Sequence, residues 1–223
     1  MSSASTASTL RIPPLPERAR VVDRSLAVLL RDPGRLDQVL VMAQTINLPA
    51  LGRALGRLDQ DGAGRALLAE RPRIDREHVD FDALARLPDG TLGREYVRFL
   101  TEHDITPDVF AQAPDVGDER AAYVMLRLRQ THDLWHVLTG YTPDVQGEIL
   151  LQAFTFAQLR APSALVLAAL GSLRWMGRWK GHLRALARAF RRGRQTRFLA
   201  TFRWEDHWAT PVADLRAMLA CPA

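Results

Sequence analysis

Apolar residues return at helical spacing along almost the whole of this 223-residue chain, and no run of alternating β-branched and aromatic residues interrupts them. That constrains the fold more than anything else. With no period of two to build a sheet, the apolar stripes must be buried helix against helix. "ERARVVDRSLAVLL" (17–30) puts Val22, Leu26 and Leu29 on one stripe and stops at Asp32-Pro33-Gly34. "RLDQVLVMAQTIN" (35–47) repeats the pattern with Leu36, Val39, Leu40 and Ala43. Asp61 opens a small-residue helix that Pro72 closes, and "HVDFDALARLP" and "GREYVRFLTEH" flank the turn "PDGT" (88–91). No repeat and no long linker divides the chain. The expectation is a single all-α multi-helix domain over 17–223, behind a disordered leader over 1–16 rich in Ser, Thr and Ala, then Pro.

The centre of the chain reads as a hairpin. A long helix is expected from about Asp118 to Thr139, with Gly140 as its C-cap. Thr142 reads as the next N-cap, Pro143 as the first helical residue and Asp144 as a first-turn acid, of a helix running to about 160. Two helices joined by about three residues lie antiparallel. A last long helical region is expected over 163–192, and "TPVADLRAML" repeats the cap-plus-proline signature with Thr210 and Pro211.

That hairpin gathers ligating side chains. At ~100° per residue, His132 and His136 differ by ~40° around the helix and Asp133 lies ~60° beyond His136. Glu148 follows the loop at an offset that brings it to the height of the two histidines. Two imidazoles and up to two carboxylates converging on one point suit Zn²⁺, and Mn²⁺ or Fe²⁺ accept the same set. No thiolate lies nearby to select a soft ion, since the single cysteine is Cys221. His78, His103, His182 and His207 show no comparable cluster in the sequence. The segments around the site are strongly apolar, which suits a substrate with a polar head and a greasy tail.

Composition narrows the setting. The hydrophobic fraction of 47% and charged fraction of 25% are those of a globular protein. One cysteine permits no internal disulfide, and no window approaches the ~18 apolar residues of a membrane span. The charge of +5 is uneven: between Ile149 and Trp204 there are eleven basic residues and no acid, so the rest of the chain is net acidic. Such a patch seeks an anionic surface, either a membrane or a nucleic acid. Trp175, Trp179, Phe190 and Phe198 lie among its arginines, but no nucleic-acid-binding motif accompanies them, and the membrane is the expected partner.

"HDLWH", eleven residues and then Glu148 match the H-D-x-x-H-x(11)-E signature of the coenzyme Q biosynthesis protein four family. "LPDGTLGREYVRFL" (87–100) resembles the family's LPxGTLGxxY segment. "GRALLAERPRI" (64–74) resembles its RP-containing helix, and "WEDHWATPVADLR" (204–216) its C-terminal helix. The resemblance runs from about residue 17 onward. It implies an all-α fold holding a divalent metal, usually zinc, on His132, Asp133, His136 and Glu148. It also implies loss of the carboxyl at ring carbon 1 of a polyprenylated 4-hydroxybenzoate, in some descriptions coupled to hydroxylation there. Asp133 or Glu148 would move the proton. The alternative is a non-catalytic organiser that binds prenyl lipids. Peripheral attachment, homo-oligomerisation and association with other ubiquinone-synthesis proteins are expected, with no nucleic acid. The expected place is the cytoplasmic side of a bacterial inner membrane, or the matrix side of the mitochondrial inner membrane in a eukaryote.

Overall fold

The helix that carries Glu148 packs more extensively against its neighbours than any other in the fold. In a computed structural model describing residues 10, 12–32, 35–110, 113–175 and 181–222, the chain forms twelve α-helices and, among the described residues, no strand. They are α1 (Leu15–Arg31), α2 (Leu36–Ile46), α3 (Leu48–Gln60), α4 (Gly62–Glu70), α5 (Phe81–Ala85), α6 (Leu92–Glu102), α7 (Glu119–Gln130), α8 (His132–Thr139), α9 (Val145–Leu159), α10 (Pro162–Trp175), α11 (His182–Gln195) and α12 (Val212–Met218). α9 is flanked by α10 and α11, with α3 and α8 also against it. Glycine permits the close approach on α11: a Cβ on Gly193 would lie 2.6 Å from the Phe154 carbonyl oxygen.

Two cores meet at this hub. Tyr96, Leu134, Trp135, Leu138, Phe154 and Trp204 belong to one, and Leu51, Leu58, Val124 and Met125 to the other. Trp204, Tyr96 and Phe154 are fully buried, each worth about 2–3 kcal/mol of apolar transfer. Val22, Leu26 and Leu29 do form the inner stripe of α1, against Met42 and Ile46. The side chains of Leu36, Val39 and Leu40 lie outside the described residues. α3, whose apolar pattern is diluted by arginines and glycines, is an element the sequence reading did not separate.

Several expected boundaries move. The continuous helix from 118 to 139 is divided at Thr131 (φ −92°, ψ −2°), between α7 and α8. Tertiary demand wins there over propensity: the neighbouring Gln130 is buried and its side-chain oxygen accepts from the Ile74 amide at 3.2 Å. Thr142 is not the cap of α9. Asp144 is, its carboxylate accepting from the Gly147 amide at 2.8 Å, and Thr142 donates its hydroxyl to the same carboxylate. The expected helix over 163–192 is interrupted by Gly181 at φ +81°, a left-handed conformation no helix interior holds. Pro211, not Thr210, precedes α12. Gly140 caps α8 as expected, at φ +75°.

Candidate metal centre

α8 and α9 bring three of the four expected ligands to one point. Ligand atoms of His132, His136 and Glu148 all lie within 4.8 Å of one another. The Glu148 carboxylate spans the two imidazoles. Its Oε1 is 2.9 Å from Nε2 of His136 and its Oε2 is 3.7 Å from Nε2 of His132. The rings meet edge to face with centroids 5.0 Å apart. Asp133 is not within that mutual distance, yet it is close enough to interact electrostatically with all three.

The set fits a small divalent ion. Nδ1 of His136 lies 2.8 Å from the Tyr141 carbonyl oxygen, an atom that can only accept, so the proton sits on Nδ1. A metal would take the place of the proton that Nε2 shares with Glu148 while Nδ1–H keeps the ring in position, the arrangement in which ligating histidines are commonly held. Tyr141 serves through its backbone, just past Gly140, and no side-chain pattern in the sequence marks it. Phe99 of α6 stacks under the His136 ring at 5.3 Å and fixes its plane. The C-terminal end of α8 is gripped by two guanidinium groups. Arg216 donates to the Leu138 carbonyl at 2.7 Å, and Arg192 to the Thr139 carbonyl at 2.7 Å.

The electrostatics separate the two carboxyls. Burial would raise Glu148, but the His136 hydrogen bond and the charges of both histidines outweigh it and hold this carboxyl down at about 2. Burial pushes Asp133 up, against the pull of His132 and His136, and the Glu148 charge adds to the rise. Burial would lower His132, yet the nearby Glu148 carboxylate and the Asp133 charge raise it. One carboxyl is thus a firm anion and the other a reluctant one.

His132 is also part of the wall of a cavity of ≈ 170 Å³. Leu51, Met125, Leu128 and Leu159 give that cavity its apolar character, so the ligand cluster borders a greasy space.

Outside the hairpin, the expectation that the other histidines lack ligating neighbours fails at His78. Asp75, Glu77 and His78 also offer ligand atoms within 4.8 Å of one another. The Asp75 carboxylate is already engaged, at 2.8 Å by Arg73 and 2.6 Å by His78, so the cluster is an ion-pair network tying down the loop before α5. The basic segment is also less uniform than its sequence. Arg192 is buried, and Arg203 pairs with Glu70 and Asp206. Arg160, Arg184, Arg188, Arg191, Arg194 and Arg197 remain exposed. Trp179, Arg178, Lys180 and the side chains of Arg174 and Trp175 lie outside the described residues.

The family model "Coenzyme Q (ubiquinone) biosynthesis protein Coq4" matches residues 13–222. The chain is 38% identical over 193 residues to the mitochondrial ubiquinone biosynthesis protein COQ4 homolog of Xenopus tropicalis, covering 86% of this chain and 69% of that one. It is 38% identical over 198 residues to the homolog of Danio rerio, covering 84% and 70%. A solved structure from Nostoc punctiforme, described as a candidate ubiquinone biosynthesis protein, superposes with a TM-score of 0.75 at 27% identity, covering 93% of this chain and 98% of that one. The animal relatives are named as mitochondrial, and among the described residues no helix is long and apolar enough to cross a membrane. The chain belongs to the Coq4 family of coenzyme Q (ubiquinone) biosynthesis proteins.

Proposed function

We propose that this chain removes the carboxyl group at ring carbon 1 of a polyprenylated 4-hydroxybenzoate, as a metal-dependent carboxy-lyase of ubiquinone synthesis. One observation carries the reading: His132 belongs both to the ligand cluster and to the apolar cavity wall, so a greasy molecule in the cavity presents its polar end to the metal site. His132, His136 and Glu148, with Asp133 of the same signature completing the set, would hold Zn²⁺, or Mn²⁺ or Fe²⁺ in its place. The ion would supply positive charge to orient the substrate carboxylate.

The remaining chemistry belongs to the chain. Loss of CO₂ leaves the electron pair of the broken carbon–carbon bond on the ring, and a proton must reach that carbon. Asp133 is the carboxyl that burial favours in its protonated form, whereas Glu148 stays ionised. Asp133, the weaker of the two acids because burial raises it, would dissociate from the ion, take a proton from solvent and pass it to the ring carbon, while Glu148 remains a ligand. The apolar cavity walls exclude water and take the first part of the prenyl tail, at about 0.8 kcal/mol per buried CH₂.

The test is CO₂ release by purified, metal-loaded protein. A prenylated 4-hydroxybenzoate should be turned over and the unprenylated acid far less. Asp133→Asn should lose turnover while keeping the prenylated acid bound. Metal-loaded protein that binds the prenylated acid tightly without releasing CO₂ would make the chain a lipid-binding organiser instead.

A peripheral position on an anionic membrane, beside other ubiquinone-synthesis proteins, goes with this reading. The exposed arginines of α11 share its outer face with Leu183, which is 72% exposed.

A further inference from the structure

We propose that the cavity beside the metal site reads a neutral oxygen on its ligand, and that the readers are the indole N–H of Trp135 and the hydroxyl of Thr155. This rests on the reading of the cavity as the place of a prenylated aromatic acid. It adds a specificity element to that site: two positions, neither of them a metal ligand, that select a ring bearing a hydroxyl or ether oxygen over the same ring without it.

Two polar atoms in this wall lack protein partners. Nε1 of Trp135 and Oγ1 of Thr155 are both buried with no hydrogen-bond partner. Trp135 is 2% exposed and Phe154 packs against its ring at 6.1 Å, so the indole is fixed by the core and does not reach solvent. Both residues line the cavity that His132 also lines. Buried polar groups are nearly always paired, because leaving one unpaired forfeits its hydration with nothing in return. Two such atoms in one small, mostly apolar wall are explained together if the cavity's ligand brings the acceptor.

The helices place them suitably. On α9, Glu148, Gln152 and Thr155 follow at i, i+4 and i+7, so Thr155 stands about 10 Å along the helix from the ligand carboxylate. On α8, Trp135 is three residues from His132, on the same side. A flat acid with its carboxylate at the metal extends its other substituents toward this second pair. The cost of desolvating the indole N–H and the hydroxyl has already been met in folding, so an arriving oxygen gains their hydrogen bonds without further penalty. A ligand of the same shape without the oxygen leaves both atoms as they were.

Substitutions that remove the two donors, Trp135→Phe and the shape-conserving Thr155→Val, test this on the full chain, with 3-geranyl-4-hydroxybenzoate and 3-geranylbenzoate as calorimetric probes. Wild type should prefer the hydroxylated probe by about tenfold. Trp135→Phe with Thr155→Val should abolish that preference, so that the two probes bind alike. Thr155→Val by itself should raise the melting temperature of the ligand-free protein by about 2–4 °C, since it removes an unpaired buried hydroxyl. Equal binding of both probes by wild type, or a preference that survives the double substitution, would mean that water satisfies these atoms, and overturns the subsite while leaving the prenylated acid as ligand. Failure of wild type to bind either probe overturns both readings.

Discussion

Glu148 faces His136 across the α8–α9 hairpin with 2.9 Å between carboxylate oxygen and Nε2, while the other nitrogen of the same ring is 2.8 Å from the Tyr141 carbonyl oxygen. The imidazole is therefore held from both ends, one a ligand partner and the other the backbone of the turn. An ion entering this site finds its donor atoms already gathered and the His136 ring already oriented, so little ordering cost remains.

One divalent ion per chain is the first expectation. His132→Ala, His136→Ala and Glu148→Ala should each remove most of it, with little change in helical circular dichroism. The pH dependence has a defined sign. Metal binds imidazole without its ring proton, and His132 holds that proton above its ordinary pKa of about 6.5. Affinity should therefore fall as pH drops through the neutral range, whereas Glu148, ionised down to about pH 2, adds nothing there. Atomic absorption on protein dialysed against Zn²⁺, Mn²⁺ or Fe²⁺ at several pH values measures both points. Protein that stays metal-free in all three ions removes the site.

The second expectation concerns the start of α9. Asp144 accepts from the Gly147 amide four residues before Glu148, so the cap sets the first turn on which the ligand rides. Asp144→Ala should cost about 1 kcal/mol of stability and weaken metal binding, although Asp144 touches no ligand atom. Asp144→Ser should recover most of both. Metal affinity unchanged in the alanine variant, measured by competition with a chromogenic chelator, would show that Glu148 is positioned by packing alone.

The hairpin was legible because its logic is local. His132 and His136 are set by one helical turn, and Gly140 marks the turn that returns Glu148 to their height. Local pattern could not reveal the division at Thr131, which depends on Gln130 meeting Ile74 from 56 residues away, nor the replacement of Thr142 by Asp144 as the cap. Arg192 shows the same gap. In sequence it is one more charge on a basic helix, yet in the fold it is buried against α8 with its guanidinium 5.4 Å from the centre of the Tyr141 ring. Phe99 and the orphaned polar atoms of Trp135 and Thr155 likewise arise from packing between distant helices, which periodicity does not encode.

A third expectation separates the Asp75 network from the metal site. Burial would raise the Asp75 carboxyl, but the His78 hydrogen bond and the Arg73 charge outweigh it and hold it low. A carboxyl lowered in the folded state contributes stability that is fully present above its unfolded pKa of about 4 and is lost as pH falls through the folded value. Asp75→Asn should therefore lower the urea midpoint at pH 7 and flatten its decline on acidification. The loss at neutral pH should be about 2 kcal/mol, because the carboxamide keeps only one of the two acceptor oxygens that Arg73 and the His78 amide use and removes the charge that Arg73 pairs with. An acid limb identical in wild type and variant would assign acid lability to other carboxylates.

The last expectation tests membrane docking through α11. Its inner face carries Ala189, Arg192 and Gly193 against α9, and its outer face exposes Leu183, Arg184, Ala187, Arg188, Arg191 and Arg194. No acidic residue lies anywhere between 149 and 204 to weaken the field of that face. Each arginine near an anionic lipid surface contributes about 1 kcal/mol, screened within a Debye length, and an inserted leucine adds apolar burial that salt does not weaken. Binding to phosphatidylserine or cardiolipin vesicles should thus decline steeply between low and physiological salt, and neutral phosphatidylcholine vesicles should bind little. Arg184→Ala with Arg188→Ala should remove about half of the salt-sensitive part, and Leu183→Ser should reduce the part that salt does not weaken, while the metal content of both variants stays at the wild-type level. Preference for RNA over anionic vesicles would reassign the face to nucleic acid. Binding to neither would leave it a solvated helix surface, and a prenylated substrate would then have to reach the cavity from another side of the molecule.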